Sequence, residues 1–203
     1  MHLASIVRIT NVAEYPNWFS YVQSNFEEFL TPLAGEIRLR FLQLGVYTGD
    51  ATIWMCENIL TSRSSLLDDV DTWQGSDEPA HEAMDFDDVY KTYLDKTADY
   101  QDGIIVHRKY TTAYLMDYRT REKEYDFIYI DADHTTVGVI LDAELSWPLL
   151  KSGGIMAFDD YTWGHESGDP RLAPQVGIDL FLHRHQLDIQ VLTKNNQVWI
   201  RKH

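Results

Sequence analysis

The stretch "FIYIDADHTT", residues 127–136, runs four strand-forming residues straight into two carboxylates and an imidazole. A second stretch, "GGIMAFDDYTWG", residues 153–164, does something similar with the adjacent pair Asp159 and Asp160. Near-continuous apolar character of this kind suits strands of a sheet covered on both faces. A buried strand can carry charge at its end because the chain there emerges toward solvent or a ligand, so the cost of burying the charge is avoided. The acids therefore stand at the carboxyl ends of two central strands.

Working outward, strands and helices alternate without repeats or low-complexity linkers. "AEYPNWFSYVQSNFEEFLTPLAG" reads as helical material broken by Pro16 and Pro32. "IRLRFLQLG" is a first strand ending in a glycine turn, and "DATIWMCENILTS" the helix after it. "SSLLDDVDTW" is a second strand, with Asp68 and Asp69 out of keeping with a buried one. The acidic segment over residues 75–100 is longer than a bare strand-to-helix connection requires and predicts a lid or helical insertion. "GIIVHRKY", "YDFIYID" and "GGIMAFDD" are the third to fifth strands, with helices over "TTAYLMDYRTREK" and up to about Trp147 between them. A helix around "QVGIDLFLHRH" leads into "LDIQVLTKNNQVWIRK", a hairpin turning at Asn195 and Asn196. The pattern predicts a doubly wound α/β fold: an open, mostly parallel sheet with an antiparallel strand at or near one edge. Ligands of such sheets bind beyond the carboxyl ends of the strands, which is where the acids lie.

The 203 residues suffice for one α/β domain, so 1–203 is read as a single unit with residues 1–34 as a helical cap and 76–100 as the insertion. No apolar run is long enough to span a bilayer, and "MHLASIVRIT" lacks the parts of a signal peptide, so a cytoplasmic protein is expected. The single cysteine, Cys56, excludes an internal disulfide and sits in an apolar helix pattern. A formal charge of −15 with no basic stripe opposes a nucleic-acid partner, and neither composition nor pattern suggests a membrane one. Aromatic residues in the N-terminal helix leave a homodimer open.

The glycine turn is Gly45-Val46-Tyr47-Thr48-Gly49-Asp50. A dinucleotide site needs G-x-G-x-x-G, and here a tyrosine and an aspartate stand where the second and third glycines would be. Asp50 at the helix start would cap that helix and repel a phosphate. S-adenosylmethionine has no phosphate and carries a cationic sulfonium, so neither residue disfavours it. Asp71, at the end of the second strand, is placed to accept both ribose hydroxyls. The same glycine spacing also serves tight strand-to-helix packing.

In order and spacing, "FLQLGVYTGDATIWMCENIL", "DVDTWQGSDE", "DFIYIDADHTTVGVILDAELSWPLLKSGGIMAFDDYTWG" and "NQVWIRK" resemble the class I S-adenosylmethionine-dependent methyltransferases. The likeness covers roughly residues 38–202, and is strongest to small enzymes with a "YIDxxH…LLKxGGxxxxDDY" pattern, similar to macrolide-sugar and catechol O-methyltransferases. It implies a Rossmann-like seven-stranded sheet whose last hairpin sets an antiparallel strand beside the fifth. It implies that Gly45, Val46, Tyr47 and Gly49 wrap the cofactor's amino-acid part, with Asp71, Thr72 and Trp73 on the ribose side. Gln43 replaces a common acid, and "KYTTAYL" lacks the acid often found after the third strand, so the adenine contact falls to Tyr110, Thr111 or their backbone.

The resemblance also implies Mg²⁺ held by Asp131, Asp159 and Asp160, a hard dication on oxygen ligands able to bind both oxygens of a vicinal diol. His134 is then the candidate base, with Asp133 the alternative, for a hydroxyl of a small molecule, sugar or glycan. Plainer readings stay open. Asp131 could contact the cofactor's methionine part or cap a helix, Asp159 and Asp160 could form a turn, and His134 could be structural. Trp73 and Trp163 are candidates for stacking or for packing, and His165 with Glu166 and Asp169 for a second metal site or a solvated loop. A metal-independent N- or O-methyltransferase and a non-catalytic cofactor-binding scaffold are the competing functions.

Overall fold

The computed structural model describes residues 15–76, 81, 83–118 and 125–203. The start of the N-terminal cap, five residues of the insertion (77–80 and 82) and the end of the fourth predicted helix therefore lie outside the described residues. The strands are β1 (Arg40–Leu44), β2 (Leu66–Asp71), β3 (Ile104–Arg108), β4 (Tyr125–Ile130), β5 (Leu150–Phe158), β6 (Ile189–Lys194) and β7 (Val198–Lys202). The helices are α1 (Gln23–Leu30), α2 (Asp50–Asn58), α3 (Phe86–Lys96), α4 (Thr111–Tyr118), α5 (Thr136–Ser146) and α6 (Pro174–Arg184). One seven-stranded sheet runs in the order β3-β2-β1-β4-β5-β7-β6. It is parallel except for β7, which lies antiparallel between β5 and β6. This is the doubly wound sheet expected from the alternation and the closing hairpin, with the seven strands and the antiparallel strand beside the fifth that the resemblance implies.

Alternation along each strand sorts the core into two layers. Leu42, Leu44, Ile128, Ile130, Met156 and Phe158 face α4, α5 and α6. Phe41, Phe127, Tyr129, Ile155, Ala157 and Trp199 face α1 and α2, where Phe26 of α1 meets Phe127, Tyr129 and Trp199 edge-on at 5.9, 4.9 and 4.9 Å. Phe26 thus belongs to the core, and the exposed aromatics of this region are Trp18 and Tyr21 in the 3-10 turn before α1. Two elements differ from the pattern read in the sequence. β5 begins at Leu150, three residues before the glycine pair, with its register to β4 broken between Tyr125 and Phe127. α2 stops at Asn58, because Ile59 leaves the helical region (φ −120°) and its amide and that of Leu60 both close on Met55.

Asp68 and Asp69, awkward for a buried strand, point to opposite faces of β2, and each finds its own partners. Asp68 receives Arg40 at 2.7 Å, His107 at 2.8 Å and the Tyr125 hydroxyl at 3.2 Å. Burial opposes its ionisation, but the hydrogen bonds from His107 and Arg40 hold its carboxyl below the usual range. Asp69 takes the hydroxyls of Thr52 (2.9 Å) and Tyr93 (2.8 Å) on one oxygen, and Thr52 also lies 3.2 Å from Gln43, whose amide donates to the Gly45 carbonyl. A polar network thus runs from α3 through β2 to the glycine turn. Among the described residues no cation reaches Asp69, and burial pushes its carboxyl up to about 7 despite the bonds from Tyr93 and Thr52, with the charges of Asp68 and Asp71 adding to the shift.

A folded pKa of about 7 against an unfolded value of about 3.9 means that the native state binds more protons in between, so this group lowers stability as pH rises from about 4 to about 7. Asp69→Asn should remove that part of the slope: in urea unfolding, the difference between variant and wild type should move in the variant's favour from pH 5 to pH 8. A pH-independent difference would show that Asp69 is ionised throughout.

Candidate active site

The candidate residues lie at or beyond the carboxyl ends of β1 to β5, with Tyr110 and Thr111 following β3. The glycine turn leaves β1 at Gly45 (φ +83°), where an added Cβ would lie 1.8 Å from the Asp131 carbonyl oxygen. Backbone therefore touches backbone at the ends of β1 and β4, and only glycine satisfies both the conformation and the contact. Gly49 (φ +83°) precedes α2, and a Cβ there would press on the Tyr93 ring of α3 at 2.8 Å. Asp50 opens α2 and pairs with Lys96 of α3 at 2.6 Å. The insertion thus packs directly on the turn.

Asp71 organises this turn. One carboxylate oxygen accepts the Val46 and Tyr47 amides at 2.7 and 3.1 Å, and the other accepts the Trp73 amide at 2.7 Å. Tyr47 and Trp73 both adopt positive φ, 53° and 46°, which bulky residues rarely do, and their anchoring to one carboxylate offsets that cost. The Trp73 indole donates to the Tyr47 carbonyl at 2.8 Å. Trp73 is only 2% exposed and packs on Tyr90 and Tyr93, so its role in this structure is packing. Trp18 stacks on Tyr47 at 4.5 Å and Tyr15 bonds Asp88, bringing the N-terminal segment and the insertion together over the turn. Thr72 accepts the Gln74 amide, Tyr110 is 64% exposed with its hydroxyl 3.3 Å from Gln74, and Thr111 donates to Asp142 at 2.7 Å. Burial pushes the Asp142 carboxyl up to about 7, against the Thr111 bond.

On the other side of Gly45 stand the acids of β4 and β5. His134 Nε2 lies 3.1 Å from Asp160 Oδ2 and 3.5 Å from Asp131 Oδ1. One ligand atom from each of these residues falls within 4.8 Å of the others, the only such group among the described residues. The His134 ring packs against Trp163 at 5.3 Å. Asp159 is outside this group: one oxygen accepts the Tyr129 hydroxyl and the other the Asp160 amide at 2.7 Å. Burial, then the charges of Asp159 and Asp160, push the Asp131 carboxyl well up, opposed by His134, and its side chain keeps 31% exposure, which moderates the shift. Burial and the same acids push the Tyr129 hydroxyl well up, so it remains a donor.

Asp133 turns to the start of α5, where it accepts the Thr135 amide at 2.8 Å and folds over Gly138. Asp169 is bound by Arg171, apart from His165 and Glu166 as a ligand set. Sequence reading missed Tyr129 and Gln197. The Gln197 side-chain oxygen accepts from both Asn25 and the Trp199 indole at 2.8 Å, and its buried Nε2 has no hydrogen-bond partner among the described residues. Phe158 pairs with Val198, so Gln197 stands just beyond the last register pair of β5 and β7. A groove of about 490 Å³ lined by Cys56, Arg63 and Tyr100 opens at the amino ends of β2 and β3, away from the acids. Burial pushes the Cys56 thiol there up to about 12.

The chain belongs to the methyltransferase-domain family, whose pattern it matches over residues 42–161, and is thereby a class I S-adenosylmethionine-dependent methyltransferase. A comparison with curated sequences finds no significant match. Among solved structures, an O-methyltransferase from Bacillus cereus in complex with S-adenosylhomocysteine superposes with a TM-score of 0.61 at 18% identity, over 95% of this chain and 84% of that one. A Clostridium thermocellum protein assigned as an rRNA methylase gives 0.64 at 14% identity, over 89% and 94%. MycE from the mycinamycin pathway, in complex with Mg, S-adenosylhomocysteine and mycinamycin VI, gives 0.59 at 13% identity over 95% of this chain and 50% of its own. These identities establish a shared fold. No described helix is long and apolar enough to cross a membrane.

Gly45→Ala should cost about 2–5 kcal/mol, the sum of a strained positive φ and an overpacked backbone contact. Urea unfolding checks this. A variant as stable as the wild type would show that β1 and β4 do not meet as closely as described.

Proposed function

We propose that this protein transfers a methyl group from S-adenosylmethionine to a hydroxyl oxygen of a small molecule, sugar or glycan, assisted by a divalent cation such as the Mg bound in MycE. The observation that carries the reading is the convergence of Asp131, His134 and Asp160 beside the glycine turn, one backbone contact away at Gly45. Two carboxylates and an imidazole are a donor set suited to a dication, and an acid-lined edge suits a cationic sulfonium while repelling phosphates. When bound, the cofactor would supply an electrophilic methyl group and the cation would lower the pKa of the acceptor hydroxyl.

The chain's own part is orientation. Gly45 and Gly49 let the turn approach closely, and Asp71 fixes the Val46 and Tyr47 amides while keeping lone-pair capacity for a ribose hydroxyl. Trp18, Tyr47 and α3 cover one side of the edge, and the Trp163 loop the other. The rRNA-methylase neighbour raises a nucleic-acid acceptor, but a net charge of −15 works against a phosphate backbone.

Incubation with ¹³C-methyl-labelled S-adenosylmethionine and a panel of catechols and sugars should yield methyl ethers by NMR, and EDTA should abolish them. N-methyl products or EDTA-resistant turnover would overturn the reading. Asp160→Asn, which keeps a residue tolerant of the 54° φ there, should lose metal stimulation while still binding S-adenosylhomocysteine. Asp71→Ala should weaken that binding roughly 10- to 150-fold, the loss expected for a charged hydrogen-bond acceptor. Unchanged affinity would remove Asp71 from the cofactor site.

A further inference from the structure

We infer that the protein is a homodimer joined through the outer face of α5 and α6, its two copies related by a twofold axis that crosses these helices. The N-terminal aromatics are not the contact, and the inference does not depend on the chemistry of the site.

α5 carries apolar residues on every side. Of its 11 residues, Thr136–Ser146, only Asp142 and Glu144 are charged. Asp142 is buried and accepts the Thr111 hydroxyl, and Glu144 is half-buried between Arg184 and His185. Val139 and Ala143 pack into the core, which leaves Val137 and Leu141, 64% and 45% exposed, on the outer face. A helix that is apolar all round is ordinarily covered all round. α6 continues the surface. Leu172 in the turn before it, with Val176 and Leu180, is 43, 44 and 48% exposed in that order. At Gly177 an added Cβ would lie 2.5 Å from the Thr136 carbonyl oxygen, so the two helices meet closely and their exposed rows form one strip.

The strip has the size of a dimer core. Five aliphatic side chains near half exposure present on the order of 400 Å², a scale at which apolar patches are often functional. A standard interface buries about 800 Å² on each partner, a little over half of it apolar. The strip supplies most of that share.

Charge identifies the occupant. With a formal charge of −15 on each chain, two copies repel over most of their surface, and the strip is a face on which they can approach without setting acid on acid. Its ends differ in sign. Thr136 donates to the Ala173 carbonyl at 2.8 Å and Arg184 pairs with Glu144 at 3.1 Å, so α5 and α6 run parallel, start beside start and end beside end. Asp133 and Glu166 are exposed at the starting end, where Arg171 is held by Asp169. His183 and Arg184 are exposed at the finishing end. A twofold axis across the helices sets the acidic end of each copy against the basic end of the other and opposes their helix dipoles. The strip is complementary to itself, whereas a partner of one charge sign would match only one of its ends.

Sedimentation equilibrium of the tag-free, full-length protein tests this. The wild type should approach twice the 23.6 kDa of one chain, with a dissociation constant in the micromolar range or tighter. Leu141→Lys and Leu180→Lys each place a charge in the strip and should raise that constant roughly 30-fold or more, the loss expected at the centre of an interface. Circular dichroism and urea unfolding of the same samples establish that the fold is kept. Tyr21→Lys, at an N-terminal aromatic that is 80% exposed, should leave the dimer intact. Glu166→Arg should weaken it a few-fold at low salt, because a cation would then face the basic end of the other copy. A monomeric wild type would show that the strip meets a different occupant or none, and would overturn the proposal. So would a dimer that survives both strip variants or is lost in Tyr21→Lys, and an unchanged constant in Glu166→Arg would overturn the crossed arrangement.

Discussion

The backbone of Gly45 rests on the backbone of Asp131, and the site is built around that contact. It draws the carboxyl ends of the two central strands together, so that the turn after β1 and the acids after β4 share one edge. The Gly45 amide bonds Val70 at 2.9 Å and the Asp131 amide bonds Leu44 at 2.8 Å, which locks both ends into the sheet. Any side chain at position 45 would push the glycine turn and the acid cluster apart. In a methyl transfer, which asks mainly for alignment of the electrophile with its acceptor, that separation matters more than any single charged group.

Around this contact the protein solves an electrostatic problem. A chain with a formal charge of −15 places Asp71, Asp131, Asp159 and Asp160 on one edge, and each acid is managed differently. Asp71 accepts three backbone amides, Asp159 accepts a hydroxyl and an amide, and Asp131 and Asp160 share one imidazole. Only the last arrangement leaves carboxylate oxygens converging on a point. Asp68 and Asp69, one layer deeper, show the structural use of the same residue type: one held charged by His107 and Arg40, the other pushed toward its neutral form by burial.

Much of this was legible in the residues. The apolar runs ending in acid located β4 and β5, Asn195 and Asn196 located the hairpin, and Tyr47 with Asp50 argued against a dinucleotide. What could not be read is which atom each side chain faces. Asp159 and Asp160 are adjacent and chemically identical, and only the positive φ of Asp160 and the hydroxyl of Tyr129 distinguish them. Trp73 as a stacking residue and Trp73 as a packing residue look the same until Tyr90 and Tyr93 arrive from α3, fifteen or more residues on. Gln197 and Asn25, 172 residues apart, meet only because β7 inserts beside β5.

The central claim is that the edge formed by Gly45, Asp71 and Asp131 is a cofactor site for S-adenosylmethionine. Isothermal titration of the purified, EDTA-treated protein with S-adenosylhomocysteine tests it most directly. The account predicts a single site with micromolar affinity, in the absence of any metal. No heat of binding, with the protein folded by circular dichroism, would contradict it and make the glycine turn a packing device alone.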